Sequence, residues 1–219
     1  MSTTAEYVLT YFAFRGRAEH IRLLLEDCKI PYRQNIIPDE GESWTPVKAR
    51  GLETGEIPFG QLPVLHEAGT SLYLAQSGAI ARHLARRHHK YGQNELEASL
   101  ADMLYDTVSD IRQVYRDFIF DENWQAKRES FVSNASNRFA LLEKFMSSRN
   151  TPYLVGQDTT FADYHLLEVI HIIQRVQSDI IRPYSWLQSF CQKMESRPNI
   201  AEYLKSSRRF EKPVPLPHA

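Results

Sequence analysis

The sequence changes texture once, near Tyr91-Gly92-Gln93-Asn94. Before that point, short runs rich in β-branched and aromatic residues alternate with two helical patterns. After it, nearly every segment carries a helical period. A chain divided in this way is expected to fold as an α/β domain over residues 1–90, then a short linker, then an all-α bundle over residues 92–219. The length of 219 residues suits one large or two small domains.

In the first part, Tyr7 to Phe12 reads as a strand. Gly16 separates it from a helix in which Ile21, Leu24, Leu25 and Cys28 recur at i, i+3, i+4 and i+7. Pro31 ends that helix, and Tyr32 to Ile37 is a second strand. The segment from Pro38 to Gly60, with Gly41, Gly51, Gly55 and Pro58, has no clear period; a stretch this long is either functional or holds helical turns. Val64-Leu65-His66 and Leu72-Tyr73-Leu74 make a hairpin opened by Pro63. Ser77 is an N-cap candidate for a helix bearing Ile80, Ala81, Leu84 and Ala85 on one face. The order is β-α-β, then β-β-α.

In the second part, Leu100, Met103, Leu104, Val108, Ile111, Tyr115, Phe118 and Ile119 trace one long helix. Phe131, Ala135, Phe139, Leu142 and Phe145 trace another. Thr160-Phe-Ala-Asp163 has the form of a capping box. The helix after it is apolar almost all round, as expected for the buried centre of a bundle. Pro198 starts a last helix, and the tail Pro213-Val-Pro-Leu-Pro217 is expected to lie extended on its own domain rather than serve as a proline-rich ligand.

Composition removes several function classes. Lys and Arg number 26 against 27 Asp and Glu, a net charge of −1, which argues against a dedicated nucleic-acid binder. No apolar stretch approaches the roughly 18 residues of a membrane span, and the first residues lack a basic region before an apolar run. The two cysteines, Cys28 and Cys191, form neither a disulfide framework nor a CxxC pair. These features read as a cytoplasmic protein without membrane or nucleic-acid partners. There is no GxGxxG, GxxxxGK[ST], GxSxG or HExxH. His83, His88 and His89, among Arg82, Arg86, Arg87 and Lys90, read as a basic helix end favoured by the macrodipole, not as a metal or phosphate site.

The β-α-β-β-β-α order with proline opening the third strand resembles the thioredoxin fold. Its first loop, Phe12-Ala-Phe-Arg-Gly-Arg17, carries no thiol, so a thiol used there would belong to a ligand. Four motifs, Tyr11-Phe-Ala-Phe-Arg-Gly-Arg17-Ala-Glu, Gly60-Gln-Leu-Pro63-Val-Leu, Ala75-Gln-Ser-Gly-Ala-Ile80 and Thr160-Phe-Ala-Asp163-Tyr, resemble those of the cytosolic glutathione transferases over essentially the whole chain. The tyrosine-type pi and sigma members are the nearest match.

That resemblance implies conjugation of the glutathione thiolate to hydrophobic electrophiles. Glutathione would serve as co-substrate, with no resident cofactor or metal. Tyr11 matches the catalytic tyrosine. Gln76 and Ser77, at a helix start, match the receiver of the γ-glutamyl carboxylate, where amides and the dipole favour an anion. Gln61 and Leu62 precede Pro63, which is cis in the family. Trp44 and Lys48 match a pair engaging the glycyl carboxylate, and Arg17 a residue supporting the site. Between Lys48 and Gln61 the chain carries several residues more than the usual pi spacing, so Arg50 is an alternative to Lys48. Asp110 matches an acid that reaches the neighbouring subunit's site.

Phe12, Phe14, Tyr115 and Phe120 are candidates for an apolar electrophile cleft between the domains. Pi members often have tyrosine where Phe120 stands, so acid assistance from that position is not expected. Phe59 matches an aromatic key that inserts into a partner subunit, implying a two-fold homodimer. Two other readings remain at this stage: a glutathione-dependent isomerase of the prostaglandin D synthase kind, and a non-catalytic ligand carrier or crystallin-like relative.

Overall fold

A computed structural model describes residues 6–38, 43–214 and 216. Gly41, in the Pro38–Gly60 segment, and Pro215 and Pro217, in the tail, lie outside the described residues. The chain forms two compact units. The first runs to His88 and takes in the segment from Pro198; the second spans His89–Arg197.

In the first unit, β1 (Tyr7–Phe12) is central, with β2 (Tyr32–Ile37) on one side and β3 (Val64–Glu67) and β4 (Tyr73–Ala75) on the other, in the order β2-β1-β3-β4. The β1–β2 pair is parallel, as the intervening helix α1 (Glu19–Asp27) requires, and the other two pairs are antiparallel. Tyr7, Leu9 and Tyr11 alternate inward along β1 and are nearly or fully buried. The helix α3 (Ser77–Arg87) buries Ile80, Ala81, Leu84 and Ala85, the face expected from its period.

Two helices escaped the sequence pattern. The Pro38–Gly60 segment contains α2 (Trp44–Thr54), with Pro46 tolerated in its first turn and Gly55 ending it at φ 78°. The Ile57 amide donates to the Gly51 carbonyl at 2.9 Å, folding the loop back so closely that a Cβ at Gly51 would meet the Ile57 side chain at 2.5 Å. In the second unit, α7 (Ser185–Ser196) buries Leu187, Phe190, Cys191 and Met194.

That unit also holds α4 (Glu95–Ile119), α5 (Trp124–Ser147) and α6 (Phe161–Gln174). Every residue of α6 from Phe161 to Ile170 is buried, so this helix is the centre of its unit. Its N-terminus is fixed by the capping box. The Asp163 carboxylate accepts from the Thr160 amide at 2.7 Å, the Thr160 hydroxyl at 3.0 Å and the Leu154 amide at 2.8 Å. Along α5 the buried stripe ends at Met146, while Phe145 is 36% exposed.

The last helix, α8 (Pro198–Lys205), belongs with the first unit and not with the helical one. It packs on α1, buries Ile200 and Tyr203, and donates from Asn199 Nδ2 to the Asp27 carbonyl at 2.7 Å. This helix therefore packs outside the helical unit, which spans His89–Arg197. No described helix is long and apolar enough to cross a membrane.

Candidate functional site

Register places the first-unit candidates at one end of the sheet. Thr10 pairs with Val64, and Val64 with Ala75. One step beyond those pairs lie Tyr11 at the end of β1, Pro63 and Leu62 before β3, and Gln76 and Ser77 after β4. Residues distant in sequence are thus juxtaposed by strand pairing alone.

The phenol of Tyr11 is set by its own loop. The Arg17 amide donates to the Tyr11 hydroxyl oxygen at 3.0 Å. A donor on that oxygen favours negative charge there, which strengthens the O–H as a donor toward a further acceptor. Arg17 is exposed, and its contribution at the Tyr11 hydroxyl is made by the main chain. Gly16, at φ 46°, makes the close approach possible: a Cβ there would lie 2.3 Å from the Tyr11 hydroxyl oxygen. Around the ring, Phe14 and Phe12 pack edge-on at 5.4 and 5.5 Å, and Trp44 packs edge-on against Phe12 at 5.5 Å. Trp44 thereby ties α2 to the β1 end.

The Leu62–Pro63 bond is cis. Gln76 caps α3 with φ 70°, ψ 113°, a conformation that costs a non-glycine residue about 1–3 kcal/mol. Ser77 is the first helical residue, one place later than the cap expected for it, and no side-chain cap bonds the first-turn amides. An 11-residue helix therefore presents its positive end beside Tyr11 and Pro63. Gln76 Nε2 donates to Gln61 Oε1 at 3.5 Å, linking the two loops. The Lys48 stem lies against Gly60: a Cβ at Gly60 would meet Lys48 Cε at 2.8 Å. At about 100° per residue, Lys48 shares the Trp44 face of α2, while Arg50 lies on the far side.

Behind the loop sits a charged cluster that sequence reasoning missed. Arg22 and Glu19 are both fully buried. Arg22 Nη1 donates to the carbonyls of Phe14 (3.2 Å) and Arg15 (3.1 Å) and to Glu19 Oε2 (3.2 Å). Glu19 also accepts from the Tyr203 hydroxyl at 3.2 Å and from Arg209 Nε at 3.1 Å. The guanidinium of Arg22 lies over the Phe210 ring at 4.8 Å. Burial and the Glu19 charge hold the Tyr203 phenol well above its ordinary range, so it stays protonated and donates. The tail completes the clamp: the Arg15 and Gly16 amides donate to the carbonyls of Lys212 and Pro213 at 2.9 and 2.8 Å. The tail up to Val214 thus packs on the first unit, not on the helical domain of residues 92–219 to which the sequence assigned it. The only sequence hint of the cluster is the pair Glu19 and Arg22, i and i+3 inside an otherwise apolar helix.

Asp110, Tyr115 and Phe120 belong to the second unit. Asp110 is exposed on α4 and lines a cavity of about 410 Å³ together with Gln113, Asp117, Phe118 and Phe131. Tyr115 is buried and packs edge-on against Phe131 at 6.3 Å. Phe120, at the α4 C-terminus, is 56% exposed. Phe12 and Phe14 stack on each other at 5.6 Å and keep little exposed surface. On the loop before Gly60, Phe59 is 68% exposed.

The sequence matches the glutathione S-transferase N-terminal domain over residues 7–86 and the glutathione S-transferase C-terminal domain over residues 109–207. It is 35% identical over 216 residues to glutathione S-transferase P 1 of Xenopus laevis, covering 97% of this chain and 98% of that one. The chain belongs to the glutathione S-transferase family. Glutathione S-transferase P of Capra hircus is 31% identical, with 96% and 97% covered. The pi-class glutathione S-transferase of Onchocerca volvulus superposes with a TM-score of 0.82 at 31% identity, covering 91% of this chain and 92% of that one. This transferase accordingly has a thioredoxin-like first domain and a helical second one, with pi-class relatives. The isomerase and carrier readings find no support in these relatives.

Proposed function

We propose that this transferase conjugates glutathione to hydrophobic electrophiles, with Tyr11 donating its O–H to the glutathione sulfur. The observation that carries the reading is the Tyr11 hydroxyl, polarised by the Arg17 amide at 3.0 Å and held at the sheet end beside the α3 N-terminus. A free thiol has a pKa of about 8.5 and is mostly protonated at pH 7. One hydrogen bond to the thiolate, at about 1.5–3 kcal/mol, lowers that pKa by about one to two units. The thiol proton passes to solvent; the thiolate sulfur then attacks the electrophilic carbon, and a C–S bond forms as the bond to the leaving group breaks and that group departs with its electron pair, as chloride does from chlorodinitrobenzene.

Gln76, Ser77 and the α3 amides receive the γ-glutamyl carboxylate, and the Leu62 backbone beside cis Pro63 pairs with the cysteinyl peptide. Trp44 and Lys48 hold the glycyl carboxylate. Lys48 is favoured over Arg50 because it shares the Trp44 face and rests on Gly60. Gln61 steadies Gln76. The partner subunit's Asp110 meets the ligand's ammonium in a homodimer keyed by Phe59. Among the electrophile-site candidates, Phe120 keeps the most exposed apolar surface, while Phe12, Phe14 and Tyr115 act mainly by packing. In the cell this is a cytoplasmic detoxification activity.

Turnover of chlorodinitrobenzene by wild type and Tyr11→Phe tests the reading. The kcat of the variant falls about tenfold to a hundredfold, the equivalent of 1.5–3 kcal/mol, while glutathione affinity is largely kept. Equal turnover would remove Tyr11 from the chemistry.

A further inference from the structure

We propose that His171, Cys191 and Glu195, in the second unit and outside the glutathione site, form a binding site for a borderline-soft divalent metal ion of the zinc or cobalt type. One donor atom from each side chain, an imidazole nitrogen, a sulfur and a carboxylate oxygen, lies within 4.8 Å of the other two. Cys191 and Glu195 stand at i and i+4 on α7, one above the other on a single face. His171 faces them from the last turn of α6. Two packed helices, and no loop, set the spacing.

The chemistry of the set selects the ion. A thiolate excludes calcium and magnesium, which take oxygen ligands, and a sulfur-nitrogen-oxygen triad suits zinc or cobalt. Tetrahedral zinc with bonds of about 2.0–2.3 Å needs its donors roughly 3.3–3.8 Å apart. His171 Nε2 and Glu195 Oε1 stand at 2.7 Å, closer than that, and every donor pair lies within 4.8 Å. Closing on an ion therefore needs donor movements of roughly 1 Å, within the reach of rotamer adjustment around unmoved helices. The 2.7 Å contact already brings the His171 imidazole and the Glu195 carboxylate together. The ion would replace the hydrogen they share and the proton of the Cys191 thiol, both passing to solvent.

The surroundings are graded from dry to wet. Cys191 is 6% exposed and sits beside the buried Phe190, Met194 and Leu187 of its own helix. The Glu195 side chain is 45% exposed and that of His171 is 13% exposed. An ion can thus enter from the Glu195 side, and three protein donors leave a fourth position for water or a ligand.

The test uses the full-length, tag-free, chelator-treated chain without glutathione. Cobalt(II) titrated into it is expected to produce a sulfur-to-cobalt charge-transfer band with the visible bands of a tetrahedral site, and zinc is expected to displace it. Cys28→Ala retains the band, which distinguishes the two thiols; Cys191→Ala loses it. Because a core substitution can unfold the bundle, His171→Gln and Glu195→Gln provide a second arm at less buried positions. Each is expected to weaken zinc binding tenfold or more by calorimetry while the circular dichroism stays that of wild type. No charge-transfer band in wild type, a band that follows Cys28, or unchanged zinc affinity in both surface variants would overturn the site. None of these readouts depends on the transferase reaction, so failure here leaves the proposed function standing.

Discussion

A methyl group at position 16 would sit 2.3 Å from the Tyr11 hydroxyl oxygen and 2.8 Å from the Phe14 ring. Gly16→Ala must therefore move the phenol, and its φ of 46° adds about 1–2 kcal/mol of backbone strain. Turnover is expected to fall tenfold or more. Gly69→Ala is the matched control: φ is 78°, with nothing within 4 Å of the new Cβ. It should lose similar stability in a urea melt and keep its turnover. Equal kinetic loss in both variants would mean that strain, not the phenol, limits the rate. Tyr11 was singled out by the dense motif around it, whereas Gly16 read only as a separator between strand and helix. The contact from Arg17 was not legible, because it is made by a main-chain amide, which residue type does not reveal.

At the scale of elements, α8 and the tail act as a brace for the β1–α1 loop. Tyr203, Arg209 and Arg22 all bond the Glu19 carboxylate, and Arg22 holds the loop carbonyls. Tyr203→Phe removes one donor from a fully buried carboxylate at a cost of about 1–3 kcal/mol. We expect a lower urea midpoint with an unchanged slope. Arg22→Met leaves Glu19 short of its fully buried cation and should cost about 3–5 kcal/mol. An unshifted midpoint in either variant would contradict the brace. The start of α8 at Pro198 was visible in the sequence, but its partner was not: Tyr203 meets Glu19 across 184 positions. Likewise α2 was hidden by Pro46 and Gly51, whose helix cost is met by close packing on Ile57. The start of α3 was misjudged by one residue because the φ of 70° at Gln76 is set by its surroundings and not by its residue type.

For the whole molecule, Phe59 is the side chain with most to explain, an aromatic ring 68% exposed on a polar loop. If it keys into a second copy, Phe59→Ser shifts sedimentation toward the monomer. Glutathione binding then weakens about tenfold to a hundredfold, through loss of the partner subunit's Asp110. An unchanged sedimentation coefficient would remove the key. The two-domain plan was readable from texture alone, since strand-like runs stop before Tyr91 and only helical periods follow. The return of the last helix to the first unit was not, because chain direction carries no record of which surface a terminal helix finds. The central claim is the contact between the Tyr11 phenol and a sulfur atom, and ultraviolet titration of the bound glutathione thiolate reads it most directly. In wild type the thiol should ionise about one to two units below its free value of about 8.5, and in Tyr11→Phe it should return close to that value. Identical titration curves for the two proteins would contradict the account.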